Sequence, residues 1–346
     1  MTPTHEAARQ RLALLLEEHP RDAVLAGAIL QDLHEEQTAF APYAGTRKVA
    51  VFGSARSPAN SPEAVMATEV GRLLAADGWM VTTGGGPGVM AAATAGAGLE
   101  RSFAININLP FEYDSAGFAA DDPKVVHSEF FFTRKLAFFR QSDAFVVFPG
   151  GLGTMDELFE LLTLMQTGRT PIAPIVLAQP SQMDYWDRWL SFTAHLADGG
   201  FISADDLSFV RLVQDPATVV QQVSSFWANF TGLTIDGSTA RITCEHLPST
   251  ARGTRQNEGP QPEAAIEVPG EQIETGWVTL SSVGVRAAIQ RQSAPDATPQ
   301  PGRSQASDET AMGGYALTMD FDGRSFSLLR QVIDEVNSWV PPGRST

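Results

Sequence analysis

Glu157 is the residue whose neighbours in the sequence most suggest chemistry. It closes the run Pro-Gly-Gly-Leu-Gly-Thr-Met-Asp-Glu at 149–157. Gly150, Gly151 and Gly153 allow a tight backbone turn that can come close to a ligand. The apolar stretch 145–148 suits a strand buried on both faces of a parallel sheet. A helix is expected to open at Thr154, with Leu158, Leu161, Leu162 and Met165 as its apolar stripe. Free N–H groups at such a start attract anions, phosphate above all, so 150–154 form a candidate cradle with a carboxylate at its mouth. The same position favours the ionised form of Glu157. A purely structural arrangement is the alternative, and the two can coexist: Thr154-x-x-Glu157 is also a capping box, in which the glutamate only reaches back to the cap N–H.

Arg134 and Lys135 form the second group. They lie in an aromatic-rich segment read as a helix over 129–142, with Ser128 as its cap. On one reading they are a solvated cationic tip above a buried aromatic face of Phe130, Phe131, Phe132, Phe138 and Phe139. On the other, Arg134 points over the sheet edge toward a phosphorylated ligand. Two more glycine turns lie upstream. Residues 47–56 read as a strand that ends at Gly53, Ser54 and Arg56, and 79–83 as a strand running into Gly84, Gly85, Gly86 and Gly88. Gly86-x-Gly88-x-x-Ala91 meets the loose dinucleotide fingerprint, with Glu112 placed for a ribose hydroxyl; a tight turn without a ligand meets it too.

The elements that must position these residues alternate. Strands are expected at 47–52, 79–83, 103–109, 124–127, 145–148, 172–177 and 209–213. Helices are expected after Ser61-Pro62 and over 88–98, 129–142, 154–165, 185–196 and 216–230. This order predicts an α/β fold with a doubly wound parallel sheet and helices on both faces. Residues 5–37 read as helical with a break at His19-Pro20, and 1–44 as N-terminal helices packing on a domain at 45–234. The composition changes near 235. Residues 246–270 and 291–313 read as loops or disorder. Segments 241–244, 277–283, 315–321 and 325–339 suggest a small α+β C-terminal appendage over 235–346.

The 346 residues suffice for one large domain plus an appendage, and 43% hydrophobic content supports a sizeable core. A formal charge of −16 argues against nucleic acid or an anionic membrane surface as a partner, since both require clustered Lys and Arg. The lone Cys244 excludes an intrachain disulfide framework, and the six histidines show no ligand spacing, so no metal is expected. No apolar run approaches about 20 residues and the start lacks a leader pattern, so a cytoplasmic protein is expected. Lys48, Lys124 and Lys135 are the only lysines, which leaves few candidates for a pyridoxal-phosphate Schiff base.

With Thr-Gly-Gly-Gly-Pro-Gly-Val-Met at 83–90, Thr-Arg-Lys at 133–135 and the 149–157 motif together, the chain resembles the LOG (Lonely Guy) family over roughly 45–230. These are cytokinin riboside 5′-monophosphate phosphoribohydrolases often mislabelled as lysine decarboxylases. The resemblance implies a Rossmann-like fold, a homodimer with sites near its interface, no cofactor, and hydrolysis of a nucleoside 5′-monophosphate to free base and ribose 5-phosphate. The family's essential arginine and glutamate fall on Arg134 and Glu157. Gly150, Gly151, Gly153 and Thr154 would hold the 5′-phosphate, and Ser54, Arg56, Gly85, Gly86 and Lys135 would complete the nucleotide site. The N-terminal helices and the tail after 235 lie outside the compact family core. Two alternatives remain: a non-catalytic nucleotide or molybdenum-cofactor carrier using the same cradle, and an NAD(P)-dependent oxidoreductase, for which no catalytic dyad is recognisable.

Overall fold

A computed structural model describes residues 5–18, 20–108, 116–119, 121–248, 252–255, 273–280, 284–292 and 314–340. Its first sheet is centred on β1 (Lys48–Phe52). From there the chain runs outward through β2 (Met80–Thr83), β3 (Ser102–Ile107) and β4 (Val125–Ser128), then returns to the far side of β1 for β5 (Ala144–Val147), β6 (Ile175–Ala178) and β7 (Val210–Val213). The order is β4-β3-β2-β1-β5-β6-β7, and every adjacent pair is parallel. All carboxyl ends therefore share one edge. The direction of winding reverses between β1 and β5.

Helices cover both faces, because consecutive strand side chains point to opposite sides. Val49 and Val51 of β1 and Val146 of β5 pack against α3 (Pro62–Ala76), α4 (Val89–Ala97) and α8 (Pro216–Ser225). Ala50 and Phe52 of β1 and Phe145 and Val147 of β5 face the other layer. That layer holds α2 (Pro20–Phe40), α5 (Phe131–Gln141), α6 (Leu152–Gln166) and α7 (Tyr185–Asp198). α1 (His5–Glu18) precedes α2, which starts at Pro20; His19, at the expected break, lies outside the described residues. Ser61 caps α3, its hydroxyl accepting from the Ala64 N–H, with Pro62 at the first helical position as the sequence suggested.

Several expectations need correction. Ser128 does not cap α5; it is the last residue of β4, paired with Ile107, and the helix starts at Phe131. The aromatic face of α5 is only half interior: Phe138 and Phe139 are buried, while Phe131 and Phe132 are 57% and 52% exposed. The closing helix stops at Ser225, and Phe230 already begins β8 (Phe230–Asp236). The turn between them is held by Phe226 packing on Phe230 at 5.6 Å between ring centres.

β8 opens a second, antiparallel sheet with β9 (Thr239–Cys244), β10 (Arg252–Arg255), β11 (Ile273–Leu280), β12 (Val285–Arg291) and β13 (Tyr315–Asp320). Its order is β10-β11-β12-β13-β9-β8, and α9 (Phe326–Asn337) follows. This is the α+β appendage, with β8, β10 and β12 added to the strands expected. Residues 109–115, 256–270 and 293–313, including Glu112 and most of the expected loops, lie outside the described residues.

Candidate functional site

The loops after β1 and β5 flank the point where the winding reverses, the usual place for a ligand in an open α/β sheet. Ser54 ties three loops together there. Its N–H donates to the Pro149 carbonyl at 3.1 Å, its carbonyl accepts from the Val89 N–H at 3.0 Å, and its hydroxyl oxygen accepts from the Arg56 N–H at 3.0 Å. Gly88 makes this possible: it has φ +70°, and a Cβ there would lie 2.2 Å from the Ser54 oxygen. That contact explains the glycine of the dinucleotide-like fingerprint by packing between loops, with no ligand required. The loops enclose a cleft of about 530 Å³ lined by Ser54, Arg56, Gly84, Arg134, Gly151, Gly153, Thr154 and Glu157, with Phe52, Met90 and Leu152 among its apolar members.

Arg134 enters from α5. Its Nε donates to the Ile105 carbonyl at 2.8 Å and its Nη2 to the Gly84 carbonyl at 3.1 Å. The guanidinium also lies 5.5 Å from the centre of the Phe138 ring. These contacts fix the plane of the fork and engage only two of its five N–H donors. A Cβ on Gly84 would sit 2.1 Å from Nη2, so a side chain there would displace the guanidinium from this position. Burial lowers the pKa of this guanidinium and Glu157 opposes that shift, so the two charges act on each other within the cleft.

Glu157 lies on the second turn of α6, because the helix begins at Leu152 rather than at Thr154. The capping box is thus not formed. Gly151 is the cap residue and provides no side-chain bond, while Thr154 is the third helical residue. Beyond the first turn the helix start does little to favour a negative charge. Burial pushes the Glu157 carboxyl up from 4.5 to about 7, with Arg134 the main influence pulling it down; this reverses the expectation of a readily ionised group. None of these influences is a hydrogen bond, and among the described residues no side chain pairs with the carboxylate.

The start of α6 is open as a cradle. The N–H groups of Leu152, Gly153 and Thr154 have no partner within the helix by construction. A Cβ on Gly151 or Gly153 would meet nothing within 4 Å, so the fold itself does not require glycine at either position. Both line the cleft, and that space is available to a ligand.

Four of the expected site residues stand outside the cleft lining. Lys135 follows Arg134 on α5 and is rotated about 100° from it, toward α6, where it pairs with Asp156 at 2.9 Å and Glu160 at 2.5 Å. The Gly85 N–H donates to the Thr83 hydroxyl oxygen, and a Cβ on Gly85 would strike Asn106. Gly86 faces Met90. Gly150 lies behind the loop, its carbonyl accepting a 2.5 Å hydrogen bond from the Tyr185 hydroxyl. The sequence reading missed Gly84, Met90 and Leu152. The run of glycines at 84–86 marked the turn without showing which of them meets Arg134. Among the described residues, no three His, Cys, Asp or Glu side chains come together as a metal-binding set, and no helix is long and apolar enough to cross a membrane.

Residues 81–223 match the protein family described as possible lysine decarboxylase. The cytokinin riboside 5′-monophosphate phosphoribohydrolase of Mycobacterium tuberculosis is 34% identical over 164 residues, covering 46% of this chain and 83% of the relative. The protein of the same name from Mycobacterium marinum is 30% identical over 162 residues, with the same two shares. Among solved structures, a molybdenum cofactor binding protein from Rippkaea orientalis is similar at 22% identity and a TM-score of 0.38, covering 53% of this chain and 98% of that one.

Proposed function

The chain belongs to the LOG family, and from that premise we propose that it hydrolyses the N-glycosidic bond of a nucleoside 5′-monophosphate, releasing free base and ribose 5-phosphate. The observation that carries this reading is Glu157: an unpartnered carboxylate with a pKa of about 7, facing Arg134 across a cleft whose glycines leave a helix start open to an anion.

The 5′-phosphate binds at the N–H groups of the first turn of α6, with Arg56 at the rim. Holding this remote group places the ribose C1′ at Glu157. As the C1′–N bond lengthens, its electron pair moves to the base and positive charge builds on C1′ and the ring oxygen. A carboxylate against that face stabilises the transition state more than the ground state. Water then bonds to C1′ and gives one proton to Glu157, whose pKa near neutrality suits a general base. Solvent supplies the proton taken up by the departing base. Arg134, fixed by two backbone carbonyls, binds ribose or phosphate oxygens and restrains the pKa of Glu157.

A homodimer fits the surface beside the cleft. Phe131, Phe132 and Leu136 of α5, Leu152 and Phe159 of α6 and Phe192 of α7 are exposed, and Leu152, at 90%, also lines the cleft. Light scattering tests this. The function itself is tested by incubating the protein with AMP, CMP, GMP and N6-prenylated AMP and assaying ribose 5-phosphate. Release from at least one is expected; binding without release from any of them would refute hydrolysis. The same panel shows whether the base is a cytokinin.

A further inference from the structure

The peptide bond between Gly150 and Gly151 has glycine on both sides, so no Cβ resists its turning over. Its orientation decides what the cleft presents to an anion. In a planar trans peptide the C=O and N–H point in opposite directions. With the carbonyl turned away, the Gly151 N–H faces inward and attracts a phosphate; turned over, the same unit presents an oxygen and repels it. Gly151 lines the cleft and Gly150 does not.

Tyr185, the first residue of α7, donates its hydroxyl to the Gly150 carbonyl at 2.5 Å. The phenol stands on a firm base. Its ring packs edge-on against Trp186 at 4.9 Å between centres, and Trp186 is fully buried. The Trp186 indole N–H donates to the Ala178 carbonyl at 3.1 Å, and its backbone N–H donates to the Gln179 side-chain oxygen at 2.6 Å. We propose that Tyr185 is a positioning residue of the anion cradle: its hydroxyl anchors the Gly150 carbonyl outside the cleft and so holds the Gly151 N–H toward the phosphoryl group of the ligand. The inference deepens the proposed function and rests on it for the nature of that ligand.

The test compares wild type with Tyr185→Phe, titrating each with inorganic phosphate and with ribose 5-phosphate in a calorimeter. Losing the lock should weaken both by about tenfold, the cost of one well-placed hydrogen bond. The KM for the cleaved monophosphate should rise by a similar factor, while the melting temperature of the unliganded protein stays close to that of wild type. A residue that merely packs would do the reverse, lowering the melting temperature and leaving phosphate affinity untouched. Should the Phe variant not fold, Tyr185→Met, which has no side-chain N–H or O–H donor, removes the same bond while keeping a flexible apolar side chain against Trp186. Wild-type affinity for phosphate and ribose 5-phosphate in either folded variant overturns the proposal. A wild-type protein that binds ribose 5-phosphate yet cleaves no nucleotide defeats the hydrolase reading and leaves the lock standing; one that binds neither anion overturns the lock as well.

Discussion

Burial raises the Glu157 carboxyl to about 7, and this has consequences for both stability and rate. Its folded value lies above the ordinary 4.5, so between the two the unfolded chain is ionised while the folded protein still holds the proton. The stabilising contribution of the protonated form is therefore complete below 4.5 and is lost as the pH rises through about 7. Glu157→Gln carries no charge at any pH. It should match wild type in urea unfolding at pH 4 and exceed it at pH 8, by up to about 3 kcal/mol. The same variant should hydrolyse nucleotide at least about a hundredfold more slowly; wild-type turnover would remove Glu157 from the chemistry. For the native enzyme kcat/KM should climb with pH toward a plateau above about 7. Arg134 pulls this value down, so Arg134→Ala, besides being slower, should move the climb to higher pH. Because the substrate phosphate itself titrates near 6, the displacement between the two enzymes is the diagnostic quantity.

α2 acts on the site through α5. In place of the cap expected from Ser128, Asp32 of α2 accepts from the Glu129 N–H at 3.1 and 3.0 Å through its two oxygens and takes a 2.5 Å hydrogen bond from the Thr133 hydroxyl. Glu36, one turn further on, is buried and meets Arg140 at 3.3 Å and Gln141 at 2.7 Å. Both ends of α5 are thus held by carboxylates of a helix outside the 81–223 family match. Arg134 directly follows Thr133. Asp32→Ala should cost about 1 kcal/mol in urea unfolding, since the Glu129 N–H loses its acceptor and the Thr133 hydroxyl is left with the Phe130 carbonyl alone, and should lower the rate in step with the misplacement of Arg134. Unchanged stability would mean that α5 holds itself. The sequence placed α2 among packing elements; a bond between residues 32 and 133 has no signature along the chain.

Across the whole molecule the two sheets share one core. Apolar side chains of the parallel sheet, the antiparallel sheet and α9 form a continuous cluster. The seam is polar around two asparagines. Asn337 of α9 accepts from the N–H groups of Asn229 and Phe230 at 3.0 and 2.9 Å and donates to the Phe226 carbonyl at 2.5 Å. The buried Asn229 side chain donates to the carbonyls of His246 and Val336 and accepts from the N–H groups of Glu245 and His246. Removing Asn337 leaves these backbone groups unpaired, so Asn337→Ala should destabilise the protein by about 2 kcal/mol in a single transition that also abolishes activity. Cys244 provides the readout. It is the only cysteine, buried in β9 with its thiol pushed up to about 12, and should react with thiol reagents only as this core opens. Labelling of Cys244 while activity persists would show that the second sheet opens alone.

The sequence by itself determined the alternation of strand and helix, the doubly wound sheet, the glycine turns at the carboxyl edge, and Glu157 as a carboxylate among them, while Arg134 joined it only through the family resemblance. These follow from local pattern: apolar period, Gly and Pro punctuation, and motif spacing. Only the tertiary structure decided which glycines face the cleft, that Lys135 turns away to Asp156 and Glu160, that Glu157 is raised instead of lowered, and that Asp32, Tyr185 and Asn337 hold distant segments in place. Each of these depends on the angle at which a side chain leaves its element and on what a remote part of the chain brings against it, and neither is encoded in the nearest few residues.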